Sequence, residues 1–401
     1  MMSNVCSDLD TNGLPWQKCA FCSPEICPVQ KSCWGCNSKC RITCNPKTCQ
    51  WTCPEKPQEF FRRWTEVGGY DTPPTPYLLP PTSLELPNYI PLIQHFYSFK
   101  NPLQISVAAV NTFDILRKLQ KGGYATREEF LSSSKLNPNT ALLLISVAKD
   151  SLLELYWSNR KVDRLPEKLA QLGIQGITIP NFSYFSDAPP VHIRWNYRRL
   201  MIIADEFSQA GIGIIPHLNA LSDGDWMGWQ KLLQEQPHLK FVAKEFQTGA
   251  RRNSTIGKKA IDELIRLQDM VGRSIHPIVI GGARYWYRLS QRFASFTVID
   301  STPFMKSINR QRIHSTPNGS IGSERAYLAK GEPIDNLWSE NIREYQKALQ
   351  ARGKHHFNKS VILDQISNMP FVSGSLQQVS SRIHNITTIK SALQEPSALP
   401  F

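Results

Sequence analysis

Beyond Cys53 this 401-residue chain has no cysteine, so every thiol it owns serves a short N-terminal stretch. It has no run of about 18 apolar residues, which excludes a predicted helical membrane span. Its opening, MMSNVCSDLDTNG, lacks a basic patch followed by an apolar run, so no secretory signal is read there and cytoplasmic residence is the expectation. No GxGxxG or GxxxxGK[ST] loop follows a strand-like stretch, which argues against a dinucleotide or P-loop site. Acidic residues are the scarcer sign: 33 Asp and Glu against 46 Lys and Arg leave a net charge of +13. Such an excess favours a polyanionic partner, DNA or RNA, over the plainer reading of a basic, soluble surface. Up to Phe60 the two signs nearly balance, so the surplus belongs to the rest of the chain.

What is present begins with CWGCNSKCRITCNPKTCQWTC, six cysteines between Cys33 and Cys53. Without an export signal, a reducing compartment favours metal over disulfides. Cys19 with Cys22 and Cys33 with Cys36 have the two-residue spacing that lets paired thiolates meet one ion. With Cys27, Cys40, Cys44, Cys49 and Cys53 the set exceeds one tetrahedral site. Zinc is the first reading and an iron-sulfur cluster the alternative. Lys31, Lys39, Arg41 and Lys47 beside Trp34 and Trp51 mix cations with stacking faces, as single strands favour; a purely structural knot is the other reading.

Residues 1–58 therefore form a cysteine-rich metal-binding module. Residues 59–100 read as a connector, since the prolines between Pro73 and Pro91 argue against helix or central strand. Residues 101–320 alternate apolar strand-length runs (QISVAAV, ALLLISVA, GITIPNF, GIGIIPHLN, LKFVAKEF, HPIVIGG, SFTVID) with amphipathic helices such as IGKKAIDELIRLQDMVG. That alternation predicts an α/β protein, a TIM-like (β/α) barrel more than an open sheet. Residues 321–401 read as a helical extension and a polar tail.

In a barrel, chemistry gathers where strands end. The ends read Asn181 and Ser183, His217 and Asn219, Lys244 and Glu245, Gly281 and Gly282, then Asp300 and Ser301. Each has a bland reading too: a turn cap, a satisfied core histidine, alternating strand faces. Asp300 closes an apolar strand and suits a nucleophile or general base, with Asp187 on an earlier loop as a second carboxylate for glycosidic chemistry. Arg251 and Arg252, ahead of a helix, fit a phosphate or a solvated basic loop.

Two resemblances follow from these residues. VIGGARYWYRLSQRFASFTVIDSTPFMKSINRQR resembles the late barrel units of the tRNA-guanine transglycosylase superfamily, whose members include enzymes placing 7-deazaguanine bases in DNA. That resemblance implies Asp300 as nucleophile with Gly281 and Gly282 beside the base; the superfamily's C-terminal zinc motif has no counterpart here. GITIPNFSYFSDAPPVHIRWNYRRLMIIADEFSQAGIGIIPHLN is similar to an uncharacterised domain family of phages and mobile elements, on Pro180, Phe182, Ser183, Asp187, Pro189, Asn196, Tyr197 and Arg198. It implies association with mobile DNA. The expected function is base exchange or cleavage at a glycosidic bond, with two alternatives: a non-catalytic nucleic-acid adaptor of a mobile element, and an iron-sulfur enzyme.

Overall fold

The computed structural model describes residues 49–53, 57–69, 75–81, 84–93, 99–119, 124, 126–185, 188–247, 253–317, 319–329 and 331–367. In chain order the elements are α1 (Pro57–Glu66), β1 (Tyr89–Ile93), β2 (Val107–Asn111), α2 (Thr112–Leu119), α3 (Arg127–Ser133), β3 (Ala141–Ile145), α4 (Asp150–Asn159), α5 (Leu165–Ala170), β4 (Gly176–Thr178), α6 (Pro190–Gln209) and β5 (Ile214–Ile215). They continue with α7 (Asp223–Glu235), β6 (Phe241–Glu245), α8 (Ser254–Val271), β7 (His276–Ile280), α9 (Trp286–Arg292), β8 (Thr297–Asp300), α10 (Thr302–Ile308), β9 (Gln311–Ser315), β10 (Ile321–Arg325) and α11 (Asp335–Ser367). None of the described helices is long and apolar enough to cross a membrane.

Strands β1 to β8 pair in parallel in the order β5-β4-β3-β2-β1-β8-β7-β6. The two edges then meet through a parallel bridge between His217 and Ala243, where Leu218 N–H donates to Ala243 O at 2.9 Å and Ala243 N–H to Pro216 O at 2.7 Å. The sheet thus closes on itself as a (β/α) barrel, the expected fold class. The strands are apolar on both faces because both are buried. Ile90, Leu92, Ala109, Leu143, Ile215, Ala243, Ile278 and Ile299 fill the lumen, while Val110, Leu144, Ile177, Val242, Val279 and Val298 pack under the helices.

One expectation needs correcting. The proline-rich connector holds a central strand, because β1, with Pro91 inside it, pairs with both β2 and β8. A proline removes one donor from one ladder, and five residues bonded on both sides absorb that loss. The stretch before it behaves as a plug. Ile214 N–H donates to Leu79 O at 2.6 Å, Leu78 N–H to Gln236 Oε1 at 2.8 Å, and Leu84 and Leu86 pack against the lumen residues, closing the N-terminal end.

The C-terminal helix is also more than an extension. Trp338 of α11 stacks on Phe99 at 4.8 Å and Tyr345 meets Tyr89 at 5.4 Å, so α11 covers the β8–β1 side of the barrel. The antiparallel pair β9–β10, unforeseen in the sequence, is held to it by Asn341, which accepts from Ile313 N–H at 2.7 Å and donates to Gln311 O at 2.9 Å.

Candidate active site at the barrel mouth

Which strand-end side chains face the lumen follows from register, since paired residues of parallel strands point the same way. His217 pairs with the lumen residue Ala243, Thr178 with Ile215, Asn111 with Ile145 and Glu245 with Ile280. These four polar residues share the lumen face toward its C-terminal end. Three are anchored by neighbouring backbone. Thr178 Oγ1 accepts from Ser146 N–H at 2.7 Å, Glu245 Oε2 from Gln247 N–H at 2.8 Å, and Asn111 Nδ2 donates to Val147 O at 2.9 Å.

The fourth is different. His217 is 0% exposed, and neither ring nitrogen has a hydrogen-bond partner among the described residues. Burial, helped by the charge of Lys244, lowers its pKa to about 3, so the imidazole is neutral at any physiological pH. A wholly buried imidazole offering an open donor and an open acceptor is an uncommon expense in a folded chain.

Lys244 pairs with Val279 and therefore faces the helix layer, where Nζ donates to Leu218 O at 2.7 Å and lies 6.0 Å from the centre of the Trp226 ring. Burial lowers its pKa to about 8, against the opposing pull of Glu245 and Glu263. Its bond holds the turn that carries His217. Two residues after His217, Asn219 donates from Nδ2 to Asn181 Oδ1 and, at 2.9 Å, to Phe182 O, while its own carbonyl accepts from Trp229 Nε1 at 2.8 Å. Asn181, His217, Asn219 and Lys244 thus belong to one hydrogen-bonded corner between β4, β5 and β6.

Ser183 lies just outside it, donating from Oγ to Asp150 Oδ1 at 2.7 Å. Its carbonyl accepts from Asn196 Nδ2 at 3.0 Å, and Asn196 Oδ1 accepts from Arg199 Nη2 at 2.5 Å. The Arg199 guanidinium, 1% exposed, lies 3.9 Å from the Phe182 ring centre and 3.5 Å from that of Trp195. Phe182 and Ser183 on one side and Asn196 and Arg199 on the other are therefore two sides of one interlock, fixing the loop after β4 to the first turns of α6.

Asp300 stands apart. Its partner Pro91 lies between the lumen residues Ile90 and Leu92, so Asp300 faces the helix layer, where Oδ1 accepts from Thr302 N–H at 2.6 Å. Burial, and then the charge of Asp300, raise the pKa of Tyr345. Gly281 adopts φ +79° and donates its N–H to Ile299 O at 2.8 Å; a Cβ there would come within 2.7 Å of Gln247 Cγ. Gly282 follows at the end of β7. Asp187, Arg251 and Arg252 lie outside the described residues, as do Cys19, Cys22, Cys27, Cys33, Cys36, Cys40 and Cys44. Cys49 and Cys53 are described, both partly buried. No three metal-ligating side chains converge among the described residues.

Sequence reasoning passed over Thr178 and Asn111. Asn111 had a signal in parity, two and four residues from the lumen-facing Ala109 and Val107 of its own strand, whereas Thr178, on a strand whose only even-spaced residue is Gly176, had none.

No protein-family model matches the chain, and no curated protein matches it. Among solved structures it is similar to a catalytic-lysine mutant of the Ruminococcus gnavus sialic acid aldolase, at 10% identity and a TM-score of 0.31, over 67% of this chain and 96% of that one.

Proposed function

We propose that this chain is a barrel enzyme whose reaction centre lies on the β4–β5–β6 side of the C-terminal mouth, with neutral His217 as the proton-transfer group. The observation that carries this reading is the buried imidazole with both nitrogens unpartnered among the described residues. A substrate donor or acceptor would complete it: the neutral ring can accept a proton at its unprotonated nitrogen while its other N–H donates a hydrogen bond. Lys244 keeps a positive charge nearby at neutral pH, which favours anionic substrates and charge that develops during reaction. Asn219 and Asn181 hold the turn in place.

For the substrate, the net charge of +13 supports a nucleic acid, and the reaction we favour is exchange or cleavage of a base at a glycosidic bond. In that reading Asp300 supplies the carboxylate. To face a substrate in the lumen it would have to give up the Thr302 amide, a rearrangement within one residue of the strand end. The adaptor alternative draws support from the same bond, because a carboxylate committed to the Thr302 amide is what a binding scaffold would keep.

One experiment separates these. DNA and RNA oligonucleotides are incubated with the full-length protein, with His217→Gln and with Asp300→Asn, and free base is followed by mass spectrometry while oligonucleotide binding is measured in parallel. Loss of about 10²–10⁴ in rate for His217→Gln with binding intact is expected. Asp300→Asn should abolish release if its carboxylate attacks the sugar. Full turnover by His217→Gln would reject the proton-transfer assignment, and binding without turnover by the parent protein would favour the adaptor.

The N-terminal cysteines are proposed to hold zinc as thiolates, since so polar a stretch has little apolar core to fold around.

A further inference from the structure

The hairpin β9–β10 leaves one strand edge open. On β9 the side away from β10 is closed by Asn341 of α11, which accepts from Ile313 N–H and donates to the Gln311 carbonyl as a third strand would. The ladder to β10 therefore runs through the even-numbered residues. It continues past both ends, with Thr316 N–H donating to Ser320 O at 3.0 Å and Ala326 N–H to Arg310 O at 2.8 Å. In an antiparallel pair the alternate residues then turn their N–H and C=O outward. On β10 these are Ile321, Ser323 and Arg325. β10 pairs with β9 alone, and no other backbone group among the described residues bonds to these three.

An open edge accepts many extended chains, and exposed charge is a common guard against wrong partners. Here the charges select one partner. On the solvent face Glu324 stands across from Arg312, and His314 across from Gly322 with its ring over that residue, so that a Cβ at Gly322 would collide with Nε2. The imidazole thus reaches over β10 toward its open side. Two copies of β10, Ile-Gly-Ser-Glu-Arg, can pair antiparallel about a two-fold axis at Ser323. Ser323 then faces Ser323, Ile321 faces Arg325, and Gly322 faces Glu324. Each Glu324 carboxylate enters between Arg312 of its own copy and His314 of the other, and no facing pair joins like charges. On the opposite face Arg325 lies beside Ile321 of the other copy, with Glu344 beyond it, accepting from Ser315 Oγ at 3.1 Å. Lys306, which donates to Ser323 Oγ at 3.0 Å, brings one like charge from each copy toward the axis, a repulsion that salt reduces.

We propose that two copies of this chain pair through β10, joining their hairpins into one four-stranded antiparallel sheet. What carries this is an open edge whose own side chains complement themselves in the two-fold register. The pairing forms about six ladder hydrogen bonds, two at each of the facing pairs built from Ile321, Ser323 and Arg325. Because the contact is isologous, each bond between Glu324 and His314 occurs twice. The same register brings Tyr327, 94% exposed two residues beyond β10, beside the β9–β10 turn of the other copy. A contact of this size is small beside a permanent interface, so the dimer is reversible. The pairing is independent of the chemistry assigned to His217, since the hairpin lends no residue to that site.

Sedimentation velocity of the full-length protein from about 1 to 100 µM tests it, and the parent should pass from monomer to dimer across that range. Ser323→Pro removes the outward N–H at the axis without touching a β9–β10 ladder bond. It should leave the melting temperature nearly unchanged and raise the dimer dissociation constant at least about tenfold. Glu324→Arg and His314→Glu each set like charges face to face across the axis and should each weaken pairing about tenfold. An equimolar mixture of these two variants regains opposite charge at one contact and the parent pair at the other, so it should dimerise near the parent's affinity. If Ser323→Pro loses its melting transition, the charge variants alone decide. A parent that stays monomeric up to the highest concentration would overturn the proposal. So would a dimer that the variants leave intact, or weakened variants that do not recover on mixing.

Discussion

A histidine that stays neutral in the fold leaves a trace in stability. Burial is the first cause for all three lowered imidazoles, His192 and His217 at about 3 and His276 at about 4, with Lys244 adding to the effect at His217. Each takes up a proton near pH 6.5 in the unfolded chain but only at these lower values in the folded one. Between those limits the unfolded state binds more protons, so stability falls as pH drops from 6.5 toward 4, by about 1.4 kcal/mol per pH unit for each group. Urea unfolding of the parent and of His217→Gln across pH 4.5–7 should show the variant's slope shallower by about that amount. At this scale the sequence marked His217, Asn219 and Lys244 because each follows an apolar run. It did not say that His217 enters the lumen while Lys244 and Asp300 turn away, since that depends on the register between strands distant in sequence.

Among the elements, β1 and the plug before it show where local signals mislead. Prolines at 80, 81, 87 and 91 read as a connector, yet the segment both seals the N-terminal end and contributes the strand that joins β2 to β8. Its fit depends on missing side chains in β4 and before β5. A Cβ at Gly213 would stand 2.7 Å from Pro81 N and 2.8 Å from the Gln175 carbonyl oxygen, both backbone atoms that cannot swing aside. Gly213→Ala is therefore expected to destabilise the protein by about 1–3 kcal/mol, read as a lower melting temperature, whereas Gly211→Ser would strain only a positive φ of 83° with no atom in its way. Helices were the more legible elements. IGKKAIDELIRLQDMVG matches α8, with Ile261, Leu264 and Leu267 buried as its three- and four-residue spacing implied, although Ile256, which the same spacing places on that face, is 49% exposed in the first turn. The pair β9–β10 escaped notice because five-residue strands on a mostly exposed hairpin carry little apolar alternation.

For the whole molecule, charge and sulfur make separate forecasts. If the excess of basic residues serves a polynucleotide, affinity for a single-stranded oligonucleotide should fall at least about tenfold between about 50 and 200 mM salt, as phosphate contacts and their released counterions dictate. A flat salt response would argue that the +13 charge is only a soluble surface. Elemental analysis of anaerobically purified full-length protein should find zinc without acid-labile sulfide, and a chelator should unsettle the N-terminal module while leaving barrel melting largely unchanged. Iron with stoichiometric sulfide would replace the zinc assignment by a cluster.

Composition and period were enough to determine the class of this fold. Apolar runs of strand length alternating with amphipathic helices can bury both faces of a sheet only by covering it with helices, and that needs no long-range information. The confinement of sulfur to the N-terminal stretch was equally plain. Only tertiary structure decided that a proline-bearing strand completes the barrel and that Asn196 and Arg199 lock the loop after β4. It also decided that one buried imidazole, rather than the more conspicuous aspartate, is left with open hydrogen-bonding capacity among the described residues at the mouth. The reason is physical: the direction and satisfaction of a side chain depend on neighbours brought close by register and closure, and those neighbours lie tens to hundreds of residues away along the chain.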